Sequence, residues 1–147
     1  MGVTVRNLGW DEIKRSIINL DDVYTKVGFP IEMTEKHEDS DTTMQTIAVV
    51  HEFGSPKNNV PARPYMRPAF DNNVKQLETM QLSAYNKALA GVNPLKAIGR
   101  VGLFMQNKIK DAITAVTTPA LKVRIGGKPL VDSGQFRNSV THVEGAR

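Results

Sequence analysis

The chain has 147 residues, 40% of them hydrophobic, with 19 Lys or Arg against 15 Asp or Glu, a net charge of +4, and no cysteine. That length suits one domain (1–147) around a single core, the lack of cysteine excludes disulfides, thiolate metal sites and a cysteine nucleophile, and the apolar content is too high for wholesale disorder. No apolar run approaches the roughly 18 residues of a membrane span, and the N-terminus has neither a signal-peptide core nor an N-myristoylation pattern, so a soluble protein of a reducing compartment, with no membrane partner, is expected.

In chain order, Trp10, Ile13, Ile17 and Leu20 fall at helical spacing, with Asp11 and Glu12 favourably placed in the first turn. Residues 23–29 alternate as a strand closed by Pro30, and 33–43 (MTEKHEDSDTT) reads as an exposed acidic loop. Residues 1–42 thus form an N-terminal helix, strand and acidic loop ahead of a core over 43–143. The stretch 43–53 has both strand propensity and a helical stripe. Thr42 or Thr43 as cap and Gly54 as stop favour the helix. Pro61, Pro64 and Pro68 then keep the backbone extended.

Two long helices are expected next. The first starts at Pro68 and runs to about Leu89, burying Phe70, Val74, Leu77, Ala84 and Ala88. The second is capped by Asn93, has Pro94 as its first residue, and carries the stripe Leu95, Ile98, Gly102, Met105, Ile109, Ala112 and Val116. Gly99 and Gly102 weaken that helix, by about 1 kcal/mol each against alanine, and are expected to admit a neighbouring helix closely. Residues 124–129 form a turn cluster, 132–135 a short capped turn, and 139–143 a terminal strand. The fold class is α+β: two long helices packed on a small, mostly antiparallel sheet, with long Pro-rich and acidic loops.

The charge is divided unevenly. Residues 1–52 carry ten acids and five bases, a net of −5, whereas residues 53–147 carry five acids and fourteen bases, a net of +9. Such a split polarises the surface toward partners of opposite sign, either nucleic acid or another copy of the chain.

Catalytic patterns are thin. His51-Glu52 begins the zinc-protease pattern, but Ser55 stands where the second histidine belongs, and His37 and His142 show no ligand spacing. Glu35, Glu38, Asp39 and Asp41 lack the spacing of a calcium loop, and Asp132-Ser133-Gly134 lacks the flanking glycines of a nucleophile elbow. No catalytic residue, metal or cofactor is assigned, and an enzyme is not expected. Lys57, Lys122, Arg124 and Lys128 are loop cations able to face DNA, together with Arg63, Arg67 and Arg137. Aromatics are few, and Tyr65 and Phe70 read as packing anchors rather than a base-stacking platform.

Two segments carry a resemblance. Ile47-Ala-Val-Val-His-Glu-Phe-Gly54 followed by Val60-Pro-Ala-Arg-Pro-Tyr-Met-Arg-Pro-Ala-Phe70 resembles the A-x-x-H-E-F-G … I-P-A-R-P-F-x-R-P-A-F region of the neck and tail-completion proteins of long-tailed bacteriophages. Lys128-Pro-Leu-Val-Asp-Ser-Gly-Gln-Phe-Arg-Asn-Ser-Val140 is similar to that family's K-P-L-I-D-T-G-Q-L-R-N-S-I. Order and spacing match, with two helices between, over about residues 43–143. The segment Pro119-Ala-Leu-Lys-Val-Arg-Ile-Gly-Gly127 is shorter than its counterpart in the family, and residues before 43 carry no signature.

The resemblance implies a structural virion protein, assembled in the host cytoplasm, at the head-tail junction as a neck, tail-completion or terminator protein. It implies a hexameric homo-oligomeric ring joining the tail tube or terminator to the head connector or stopper, with DNA passing through its lumen. The alternative is a DNA-binding accessory protein of packaging that uses the basic loops. Within the motifs, Glu52, Phe53, Gly54, Pro61, Arg63, Pro64, Arg67, Pro68, Asp132, Gly134 and Arg137 are the candidate structural and interface residues. The prolines stiffen the segment, and the guanidinium forks of Arg63 and Arg67 are expected to clamp Glu52 and Asp132, with Arg137 nearby. An intramolecular network is preferred there over bridges between subunits.

Overall fold

The computed structural model describes residues 9–30, 41–116 and 134–146. They form α1 (Trp10–Asp21), β1 (Val23–Gly28), α2 (Met44–Phe53), a 3₁₀ turn (Pro56–Asn58), α3 (Met66–Asp71), α4 (Val74–Leu89), α5 (Pro94–Ala115), α6 (Gln135–Asn138) and β2 (Thr141–Ala146). The helices and a two-stranded antiparallel sheet make the chain α+β. Most of the expected acidic loop and the whole turn cluster at 124–129 lie outside the described residues. No helix among those described is long and apolar enough to cross a membrane.

The 22-residue α5 is the scaffold, and β1, β2, α3, α4 and α6 all pack against it. Its start is local chemistry: the Asn93 side chain accepts the N–H groups of Leu95 and Lys96 at 2.9 and 3.4 Å, and Pro94 fills the first turn, where no N–H is needed. The buried set on α5 is Ala97, Gly99, Val101, Gly102, Met105, Ile109 and Ile113. That band is broader than the expected stripe and leaves Leu95 37% exposed, because neighbours enclose α5 on several sides. Leu77 and Ala84 of α4, Ala69 of α3, Tyr65, Phe136 and Val140 complete the core with Met44 and Ala48 of α2.

The helix expected to run unbroken from Pro68 to Leu89 is two helices. Asn73 turns its side chain back to the Ala69 carbonyl at 2.8 Å, and its N–H bonds Phe70 three residues back at 2.9 Å. An asparagine that competes for backbone groups in this way closes one helix and opens the next. The break also changes which face is buried. Ala69 lies in the core, while Phe70, expected there as an anchor, is 53% exposed.

The sheet pairs β1 and β2 from Val23 opposite Ala146 to Gly28 opposite Thr141. With a period of two, Thr25, Val27, His142 and Glu144 share one face. That face meets the two glycines of α5, so the close neighbour is the sheet and not the expected helix. A Cβ on Gly102 would collide with the Thr25 hydroxyl and come within 2.9 Å of the His142 ring, and one on Gly99 would run into the Glu144 carboxylate. A His142–Gln106 side-chain hydrogen bond of 2.5 Å ties β2 to α5 beside this notch.

Gly102→Ala separates the two effects. Helix propensity alone favours alanine by about 1 kcal/mol, but the blocked notch is expected to reverse the sign and cost about 1–3 kcal/mol. Urea unfolding of both proteins checks this, and a variant as stable as the parent or more so would show that the sheet does not seat on Gly102.

Candidate functional site

The ambiguous stretch after residue 42 is helix. Thr43 caps α2, its hydroxyl accepting the Thr46 N–H at 3.4 Å, and the Gly54 N–H closes the last turn on the Val50 carbonyl at 2.8 Å. Gly54 has φ 77°, and a Cβ there would lie 2.9 Å from the Ala62 nitrogen. Both facts call for glycine, since an L side chain is strained at that φ and would push the returning chain away. The chain then makes a tight loop: Ser55 and Val60 exchange backbone hydrogen bonds of 2.8 and 3.0 Å around the 3₁₀ turn. It returns alongside α2, where the Arg63 N–H donates to the His51 carbonyl at 2.6 Å.

This return delivers the start of α3 to Glu52. The first backbone N–H groups of any helix have no carbonyl behind them and need another acceptor. Here Tyr65 and Met66 donate to one Glu52 oxygen, Oε2, at 2.8 and 2.9 Å, and Arg67 donates to Oε1 at 3.2 Å. The next residue is Pro68, which has no N–H, and the Ala69 N–H already reaches the Tyr65 carbonyl at 3.2 Å. One carboxylate from another helix therefore satisfies every orphan donor of α3. That is why α3 begins at Met66, two residues before the expected start at Pro68.

Electrostatics reinforce the cap. Burial would raise the Glu52 carboxyl, but the N–H groups of Tyr65, Met66 and Arg67 and the Arg67 side chain outweigh it and hold the group below the usual carboxylate range. Arg67 Nε lies 3.3 Å from Oε1, and the guanidinium stacks 5.4 Å from the centre of the Phe53 ring. The carboxylate is buried with an Arg67 side chain that is 64% exposed. Glu52 thus spends its acceptor capacity on the backbone and one arginine, which leaves it a structural cap.

The two motifs meet through aromatic rings. Phe136, on α6, stacks on Phe29 with centroids 4.9 Å apart and meets Tyr65 and His51 edge-on at 5.5 and 5.6 Å. The Tyr65 hydroxyl donates to the Ala48 carbonyl at 3.4 Å, and burial followed by the Glu52 charge pushes its pKa well above the usual tyrosine range. Burial, and then the positive charge of Arg63, lower the His51 pKa to about 4. Its Nδ1 has no hydrogen-bond partner among the described residues.

The expected arginine hub is therefore only partly assembled by what is described. Glu52 and Arg67 meet. Arg63 is 5% exposed and bears on His51. Arg137 is half-buried, and its Nε has no partner among the described residues. Asp132, Lys122, Arg124 and Lys128 lie outside them. Gly134 caps α6 in the left-handed conformation, at φ 80°. Phe53, Pro61, Pro64 and Pro68 are exposed, and Lys57 is exposed on the 3₁₀ turn. Sequence reasoning missed Phe29, His51 and Phe136 as the joint between motifs. A Pro at the third helical position, ahead of an uncapped start, was the available signal for a distant cap. Among the described residues no group of three or more His, Cys, Asp or Glu side chains is placed to hold a metal ion. Compared with models of protein families, with curated proteins and with solved structures, the chain matches none.

Two predictions follow from where the energy lies. Glu52→Gln removes the charge that several N–H groups share and is expected to cost about 2–4 kcal/mol, whereas Arg67→Ala removes only an exposed partner and costs under about 1 kcal/mol. Equal losses in urea unfolding would contradict the cap. The second concerns pH. Glu52 is depressed in the folded state, so its contribution is complete above the unfolded value of 4.5 and is lost as pH falls through the folded value. His51 stays neutral when folded down to about 4 but protonates near 6.5 when unfolded, so stability should already decline as pH drops from 6.5 toward 4. His51→Phe should flatten that upper limb, by about 1–3 kcal/mol between pH 7 and 4, and leave the Glu52 limb in place. An unchanged upper limb in the variant would show that His51 is not its source.

Proposed function

We propose that this chain is a structural component of the head-tail junction of a long-tailed phage, a neck, tail-completion or terminator protein. It works as a hexameric ring between the tail and the head connector, with DNA passing through its lumen. The observation that carries this reading is the Glu52 cap. The His-Glu-Phe-Gly and Pro-Ala-Arg-Pro residues that carry the resemblance are used to hold one rigid, exposed segment in place, which is what a docking part requires.

The local architecture supports it in detail. Gly54 makes the turn, Arg63 and Tyr65 are buried, and Glu52 fastens α3 from below. Phe53, 65% exposed with Arg67 laid across its ring, and Pro61, Pro64 and Pro68 are all at the surface. Such a surface is ordered before it binds, so little conformational entropy is lost on docking. The −5 and +9 halves of the chain fit contacts in which one copy's positive surface meets the negative surface of the next. Assembly by matched surfaces, without turnover, is the mechanism.

The test is made on particles of the phage that carries the gene. Without the protein, separate filled heads and tails are expected in negative-stain images. Phe53→Ser, at an exposed site, should fold normally and yet give the same unjoined particles. Intact virions lacking the protein would overturn the proposal. Tight DNA binding by the isolated chain, with a steep salt dependence, would favour a packaging accessory protein instead.

A further inference from the structure

Arg67 adds little to the fold and yet is held in place. The Glu52 carboxylate it touches already accepts three backbone N–H groups, and the Arg67 side chain remains 64% exposed. Two contacts fix it: Nε donates to Glu52 Oε1 at 3.3 Å, and the guanidinium lies 5.4 Å from the centre of the Phe53 ring. An arginine ordered in advance loses little freedom when it meets a ligand. The end of its fork is unspent. Among the described residues the terminal nitrogens have no hydrogen bond or ion pair, and Asp71, one turn further along, is not paired with them. Those nitrogens present parallel N–H groups in the geometry that takes both oxygens of a carboxylate.

Two exposed aromatic rings share this surface. Phe53 is 65% exposed against the guanidinium, and Phe70, three residues on from Arg67 and so on the same face of α3, is 53% exposed. Two sources supply an oxyanion for such a fork, a phosphate of DNA and a carboxylate of a protein. A phosphate track uses several cations, whereas here one guanidinium lies with phenylalanines, the composition of a protein contact centre. Contacts between copies in a permanent assembly are more apolar than this, which points to a different protein as the partner. We propose that Phe53, Arg67 and Phe70 anchor the chain to a neighbouring protein of the junction. The fork of Arg67 takes one Asp or Glu side chain of that protein end-on, and an apolar side chain beside it packs on the rings. This assignment rests on the junction reading above and names the chemistry that the partner presents.

Particles of the same phage test it, with each full-length variant replacing the parent protein. Arg67→Ala should shift thermal unfolding by less than about 4 °C, yet lower the yield of joined particles at least about thirtyfold, the loss expected at the centre of an interface. Arg67→Lys keeps the charge without the fork and should stay at least about tenfold down. Arg67→Glu, checked by circular dichroism to be folded, should block joining, and revertants should carry an Asp or Glu changed to Lys or Arg in another virion protein. Normal joining by the folded Arg67→Ala protein would overturn the proposal, as would full rescue by Arg67→Lys. Revertants confined to acids of this chain would mean that a second copy is the partner, and overturn it too. These particle results leave the junction reading intact, because that is judged on particles lacking the protein altogether. DNA binding by the isolated chain whose salt slope falls by about one in Arg67→Ala would mark a phosphate contact and also overturn the proposal.

Discussion

The backbone at the start of α3 has three N–H groups with nothing behind them, and the single Glu52 carboxylate satisfies them all. Much of the described structure is arranged to make that meeting possible. α2 has to end on the right turn, so that Glu52 points toward the returning chain. Gly54 has to adopt a conformation other residues resist, so that Ala62 can pass within contact distance. Pro68 has to stand where a fourth N–H would otherwise go unsatisfied. Remove the carboxylate and the donors lose their acceptor in a place where water reaches poorly, a cost well above that of an exposed ion pair. The Arg67 guanidinium, although charged and close, is the lesser part of the arrangement.

A second constraint operates at the other side of α5. Among the described residues the sheet has two strands, which would be marginal alone. It is stable here because Gly99 and Gly102 let Thr25, His142 and Glu144 approach the helix axis closely. The aromatic group of Phe29, Tyr65 and Phe136 then joins this half to the capped loop, since Phe29 directly follows β1 and Phe136 lies just before β2. The capped loop and the seated sheet thus share one core.

What could be read from the sequence was what is encoded locally. Thr43 and Gly54 mark the limits of α2, and Asn93-Pro94 marks the start of α5, because caps act within a few residues of themselves. What could not be read depends on distance. The start of α3 is set by a carboxylate 13 to 15 residues away, which no propensity at residues 65–67 reveals. The break at Asn72-Asn73 turns on whether a side chain bends back to Ala69 or points to water, and apolar spacing is silent on that. Helical glycines announced a close neighbour correctly but not its kind. The candidate site was legible as a motif, with Glu52 and Arg67 together in it, while the reason for the glutamate, and the part played by Phe136, emerged only from the three-dimensional arrangement.

These features join into one chain of cause. A buried carboxylate orders a proline-rich segment, and the ordered segment holds Phe53 and the prolines exposed; in the proposed ring, a segment ordered beforehand would lose little entropy on docking. The carboxylate is the first link, and it can be watched directly. Titration of the Glu52 side-chain carboxyl carbon by NMR, followed together with the amide resonances of Tyr65, Met66 and Arg67, measures the cap in the intact protein. A midpoint below 4.5, shared by those three amides, is the expected result. A midpoint at or above 4.5, with the amides unmoved through it, would contradict the cap and the ordered surface built upon it.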